Sequence, residues 1–155
     1  MKDYLKLIIS LAIPQIAGAI GSIFTVSSVS TWYLELMKPS FNPPSWVFGP
    51  VWTTLFVLIG VALFLVWKKG WKNNKIALYV FSAQMVFNVI WSALFFGLRS
   101  PFLALIEIFI LSILIALNIC YFYRISKPAA YLLVPYFVWV CFAAVLNYYL
   151  FVLNH

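Results

Sequence analysis

Gln84, Asn88 and Trp91 recur at i, i+4 and i+7, so a helix through them would line up two amides and an indole on one face. Amides in hydrocarbon need partners, and these serve either as hydrogen bonds between helices or as the few orienting groups of an otherwise apolar pocket. A second stripe runs through Tyr136, Trp139, Ala143 and either Leu146 or Asn147, where Ala143 leaves space beside a large ring. Conventional acid-base chemistry has little to work with here. The one histidine is His155, and the acids are Asp3, Glu35 and Glu107. That inventory excludes a histidine-activated nucleophile, a histidine-bearing metal cluster, a paired-carboxylate mechanism and a phosphate-binding glycine loop. Neither a cofactor nor a metal is expected.

A third concentration of chemistry lies between Trp32 and Trp52, in WYLELMKPSFNPPSWVFGPVW. Pro39, Pro43, Pro44 and Pro50 fix φ and remove backbone donors, and they bias Lys38, Asn42 and Gly49 away from the helical region. Trp32, Tyr33, Phe41, Trp46, Phe48 and Trp52 add stiff aromatic surface. A rigid aromatic cover lowers the ordering cost of holding a flat apolar ligand. Rings at a membrane interface would show the same composition.

The elements that must position these residues follow from composition. Of 155 residues, 66% are hydrophobic and 8% charged, far from the roughly half-apolar make-up of soluble domains. Uncharged runs extend from Leu7 to Leu34, Pro39 to Trp67, Ile76 to Leu98 and Pro128 to Asn154, with a further run from Ser100 to Tyr123 broken only by Glu107. Each supplies the ~20 apolar residues that cross ~30 Å of hydrocarbon. The expected fold is therefore an all-α membrane protein, a bundle of five transmembrane helices forming a single domain over residues 1–155. The spans are expected at about 5–26, 45–67, 76–97, 101–123 and 128–152, with 27–44 as a lid loop.

The formal charge of +7 could suggest a nucleic-acid partner, but its distribution argues against one. Lys2, Lys6, Lys68, Lys69, Lys72, Lys75, Arg124 and Lys127 all fall at one end of the spans, leaving Lys38 and Arg99 at the other. The positive-inside rule then puts the N terminus in the cytoplasm and the C terminus outside, with the aromatic loop on the outer face. Small residues in the first span, Ala17 with Gly21 and Gly18 with Ser22, suit close helix packing within the chain or between subunits. Cys120 and Cys141 fall inside spans and make no disulfide framework. No inverted repeat marks an alternating-access transporter.

Depth separates pocket from belt. Counting ~1.5 Å per residue from the outer ends, Trp52 and Trp91 sit at ~10 Å, Asn88 at ~14 Å and Trp139 at ~20 Å. Trp139 is too deep for an interfacial anchor. Glu107 lies ~9 Å from the outer end of the fourth span, where a structural or interfacial carboxylate with Arg99 as partner is expected.

Three motifs in order, WYxxLxKPSFxPPxWVFGPVW, QxxxNxxWxxxFFG and PYxxWxxFAxxLNYY, run through this sequence. Together they resemble the translocator protein family, also called tryptophan-rich sensory proteins or peripheral benzodiazepine receptors, and within it a bacterial homologue. The resemblance covers essentially the whole chain. It implies a homodimer in the bacterial cell membrane that binds porphyrins such as protoporphyrin IX, and isoquinoline carboxamide or benzodiazepine ligands, beneath the loop.

By the same resemblance the ligand-binding positions fall on Trp32 and Tyr33 in the loop, and on Pro44, Phe48 and Trp52 at the start of the second span. They continue with Gln84, Asn88 and Trp91 on the third span and Trp139, Ala143 and Leu146 on the fifth. Trp52 and Trp139 match tryptophans linked in some bacterial relatives to a light- or oxidant-dependent breakdown of protoporphyrin, so a degrading enzyme is the alternative to a receptor. A porphyrin transporter is a further one. Animal relatives carry a basic residue after the tyrosine of a sterol motif at the end of the fifth span. Here no Lys or Arg follows Tyr148, and sterol transport is not implied.

Overall fold

Long uncharged runs become long helices, because in hydrocarbon each backbone N–H and C=O must be satisfied within its own segment. A computed structural model describes residues 1–155 and contains α1 (Asp3–Val29), α2 (Trp32–Glu35), α3 (Ser45–Lys69), α4 (Lys75–Ser92), α5 (Pro101–Ile125) and α6 (Lys127–Asn154). A π-helical turn (Ala93–Gly97) continues α4, and no strand is present. Taking α4 with that turn, five helices are long and apolar enough to cross a membrane, with mean hydropathy between 1.5 and 2.6. The chain is an all-α, multi-pass membrane protein.

Local chemistry sets the helix ends. Ser100 and Ser126 cap α5 and α6, their hydroxyl oxygens accepting from Leu103 N (3.2 Å) and Ala129 N (3.4 Å), and a proline follows each cap. Gly70, at φ 93°, ends α3 in a conformation that side-chain-bearing residues rarely adopt. One boundary departs from the expected spans. α1 continues to Val29, into the expected loop, while Ser27 and Thr31 hydroxyls bond back to carbonyls of its last turns. Gly49 and Pro50 lie inside α3, as the expected span 45–67 has them, despite the proline's bias against helix. Pro50 falls in the second turn, where the one carbonyl it leaves without a helical donor is that of Trp46, and the Thr53 and Thr54 hydroxyls donate to Gly49 O (2.9 Å) and Pro50 O (2.8 Å) beside it.

Helix pairing closes a ring: α1 packs on α3, α3 on α6, α6 on α5, α5 on α4, and α4 back on α1. At the end of the ring where the lysines gather, the centre is filled by buried residues including Ile59, Leu63, Val66, Phe81, Phe122 and Leu133, with Phe81 and Phe122 stacked at 5.9 Å. At the loop end it is not.

The small residues of α1 and α3 face their own chain. A Cβ on Gly60 would sit 2.8 Å from Ser10 O and 2.9 Å from Leu11 Cα, and one on Gly18 would sit 2.5 Å from the Phe56 ring. Backbone cannot yield as a side chain can. Gly60→Ala is therefore expected to push α1 off α3 and cost about 1–3 kcal/mol. Gly49→Ala, where a Cβ meets nothing within 4 Å, should instead leave stability unchanged or raise it by up to about 1 kcal/mol. Unfolding in detergent checks both, and equal Tm values for the two variants would contradict the packing described.

Candidate functional site

The unfilled part of the ring is a cavity of about 370 Å³ whose walls come from every spanning helix and from the loop. α1 contributes Gly18, Gly21, Ser22 and Thr25, whose small side chains leave the space open. The rings come from the other helices: Phe48, Trp52 and Phe56 from α3, Trp91 and Phe95 from α4 and its π-helical turn, and Trp139 from α6. Ile108 and Leu111 of α5, with Ala143 and Leu146 of α6, complete the apolar lining.

Edge and face contacts fix the rings. Trp139 meets Phe48 edge-on at 6.0 Å, Trp52 lies 5.5 Å from Phe56 and 6.3 Å from Tyr136, and Trp91 stacks on Phe95 at 4.9 Å. Such pairs prefer offset or edge arrangements, which hold each ring at a definite angle. The π-helical turn extends this wall past Trp91, with Leu98 N bonding Ala93 O at 2.8 Å. Widened turns of this kind occur often at functional sites.

Amides brace the wall at two depths, and Asn88 and Asn147 also reach the cavity lining. Asn88 donates from Nδ2 to the Tyr136 hydroxyl (2.8 Å), which donates to Gln84 Oε1 (2.9 Å), and Gln84 Nε2 reaches Asn118 Oδ1 at 3.5 Å. Nearer the loop, Trp91 Nε1 donates to Asn147 Oδ1 (3.0 Å) and Asn147 Nδ2 to Pro101 O (2.8 Å). These bonds join α4, α5 and α6. Two residues of the lining each keep one polar atom buried and without a hydrogen-bond partner, Trp139 at Nε1 and Asn42 at Oδ1.

The loop sits over the opening and is tied down at several points. The single turn of α2 buries Tyr33 against Phe95 and Phe96 at 6.3 and 5.9 Å. Lys38 closes that turn, its Nζ donating to Tyr33 O (2.8 Å) and Leu36 O (3.2 Å) while lying 4.6 Å over the Tyr33 ring. Burial raises the pKa of the Tyr33 hydroxyl above its ordinary value, opposed by the Asn42 amide, so the phenol stays protonated at neutral pH. Asn154, at the far end of α6, clamps the loop: Met37 N donates to its Oδ1 and its Nδ2 donates to Met37 O, both at 2.8 Å.

Of the residues singled out in the sequence, Tyr33, Phe48, Trp52, Asn88, Trp91, Trp139, Ala143 and Leu146 line this one cavity. Trp32, Pro44 and Gln84 do not. Trp32 supports the wall from behind by an edge contact with Phe95 at 5.5 Å, Pro44 caps α3, and Gln84 is fully buried in the hydrogen-bond chain. The expected Glu107–Arg99 pair is absent. Arg99, at φ 54°, turns its Nε toward Ser28 Oγ (3.3 Å), and Ser28 in turn donates to Phe96 O (2.6 Å). Glu107 is 4% exposed, with neither carboxylate oxygen hydrogen-bonded, and stands outside the cavity lining. It is buried within the bundle and not interfacial. The α1 wall escaped the sequence reading, because glycine and serine spaced for helix packing look the same when they border a void.

A family profile described as the TspO/MBR family matches residues 10–153. Among curated relatives, "Tryptophan-rich protein TspO" of Archaeoglobus fulgidus is 44% identical over 98% of this chain and 99% of its own length. A protein of the same name from Chlorobaculum tepidum is 44% identical over 99% of this chain and 98% of its own. "Translocator protein" of Homo sapiens is 37% identical over 92% of this chain and 86% of its own.

The clamp on the loop yields a direct expectation. Asn154→Ala frees both backbone groups of Met37, and each lost bond is worth about 1 kcal/mol. Amide hydrogen exchange in residues 33–42 should then accelerate about 10-fold or more while exchange in α4 and α5 stays at the wild-type rate. Unchanged loop exchange would show that the clamp does not hold the cover down.

Proposed function

The chain belongs to the TspO/MBR family, a family of membrane sensory proteins, and from that premise we propose that it is a receptor holding a flat, largely apolar ligand of the porphyrin class. Protoporphyrin IX is the leading physiological candidate, and isoquinoline carboxamide or benzodiazepine compounds would occupy the same space. The observation that carries this reading is the convergence of Trp52, Trp91 and Trp139 on one cavity under a pinned aromatic loop. At about 370 Å³ it falls within the ~300–1,000 Å³ range of small-molecule sites, with predominantly apolar walls and few polar groups.

Stacking between rigid indoles would supply affinity at low ordering cost. A rotation of the Trp139 ring or of the Asn42 side chain would bring its buried, unpartnered polar atom within reach of a ligand. Orientation belongs to the same proposal: with eight of ten basic residues at one end, the N terminus is cytoplasmic and the loop faces outward.

A second reading, light- or oxidant-dependent breakdown of the porphyrin, is favoured by one specific feature. Trp52 and Trp139 both border the cavity, and indoles are oxidisable without an acid-base pair.

A titration of protoporphyrin IX, followed at its Soret band in the dark and then under light, tests both readings. The receptor reading predicts a dark shift that weakens about 10-fold in Trp139→Ala and not in Trp67→Ala, whose ring lies outside the cavity. Unchanged affinity in Trp139→Ala would remove this cavity as the site. A product spectrum that grows in light with wild type and fails in Trp52→Phe/Trp139→Phe would make the chain a catalyst, whereas equal conversion would exclude the indoles.

A further inference from the structure

Lysines crowd into a second concavity, at the end of the bundle opposite the loop and remote from the ligand cavity. It is a cleft of about 380 Å³ where the start of α1 meets the end of α3 and the turn into α4, lined by Lys6, Lys68, Lys69, Lys72, Trp67 and Trp71. Gly70 makes the cleft: its positive φ turns the chain sharply, so that lysines from the last turn of α3 and from the following turn face one bend. Trp67 and Trp71 stack at 5.2 Å with their planes 26° apart and form a flat apolar side to it.

The charge there is poorly balanced. Asp3 is the one acid paired with any of these lysines, at 4.0 Å from Lys6 and 3.7 Å from Lys68, while Lys69 and Lys72 pair with no carboxylate. Like charges gathered in one concavity repel unless an anion joins them. The surroundings say which kind of anion fits. On the side of α1 that carries Lys6, Ile9 and then Ile13 are exposed, so this wall of the cleft continues into apolar surface suited to an acyl chain. A free phosphate would use the lysines and none of that surface.

We propose that this cleft is a binding site for the phosphate of an anionic membrane lipid. Lys69 and Lys72 hold the phosphate oxygens, the Trp67–Trp71 pair lies against the glycerol region, and the exposed aliphatic face of α1 takes the upper acyl chain. Basic pockets at helix ends are suited to such headgroups because each lysine adds attraction and the tails remain in hydrocarbon. Asp3 competes with the lipid for Lys6 and Lys68, and so sets the affinity from within the chain.

Native mass spectrometry of the full chain in micelles, titrated with phosphatidylglycerol, phosphatidylcholine or inorganic phosphate, tests the site. Wild type should retain phosphatidylglycerol in preference to phosphatidylcholine, and inorganic phosphate should bind far more weakly than phosphatidylglycerol. Lys69→Gln/Lys72→Gln should weaken phosphatidylglycerol retention about 25-fold, and Asp3→Asn should strengthen it about 5-fold. These side chains are exposed, so the variants keep the fold, which thermal unfolding verifies. Equal retention of the two lipids, equal retention by wild type and the double variant, or phosphate binding as tight as phosphatidylglycerol would each overturn the proposal.

Discussion

Polar side chains in hydrocarbon must find partners within the protein, and the way Gln84, Asn88, Asn118, Tyr136 and Asn147 do so determines where this bundle is solid and where it is hollow. The Asn88–Tyr136–Gln84 chain joins α4 to α6 in mid-bundle. Trp91, Asn147 and Pro101 join α4, α6 and α5 nearer the loop. Both braces run through the wall itself, since Asn88, Trp91 and Asn147 also line the cavity. They hold Trp91 and the Trp139-bearing helix against each other without filling the space in front. α1 is held close by Gly18 and Gly60 and presents only small groups to that space, so the ring closes around a void.

The cover is built by the same economy of polar groups. Prolines restrict the loop, Lys38 closes its single helical turn, and Asn154 reaches it from the far end of α6. A ligand would therefore meet preset rings and a preset cover, and little binding energy would go into ordering them. Glu107, the one carboxylate buried in the bundle, is outside the cavity lining, and the titratable side chain that does border the cavity is the Tyr33 phenol.

Much of this was legible from residue types. Uncharged runs of sufficient length define the spans because the bilayer imposes its thickness on them. Trp139 stood apart from a belt residue by depth alone. Gln84 could not be told from Asn88, since both lie on one helical face a single turn apart, and only the position of the Tyr136 hydroxyl decides which amide reaches the cavity. Pro50 fits inside the expected span because it lies close to the helix start, where a missing donor disturbs least. The α1 wall was invisible, since a void leaves no pattern in the residues around it. Arg99 looked like a partner for Glu107 by sequence distance, yet its positive φ aims it across at Ser28.

The central claim is that a porphyrin occupies the space between the α3, α4 and α6 indoles. The most direct measurement is the two-dimensional NMR spectrum of protein labelled with nitrogen-15 tryptophan, whose seven indole N–H signals are assigned by single Trp→Phe variants, before and after adding protoporphyrin IX. The signals of Trp52, Trp91 and Trp139 should shift strongly while those of Trp67 and Trp71 stay in place. A bound porphyrin that leaves Trp52, Trp91 and Trp139 unmoved, or that moves Trp67 and Trp71 instead, would contradict the account.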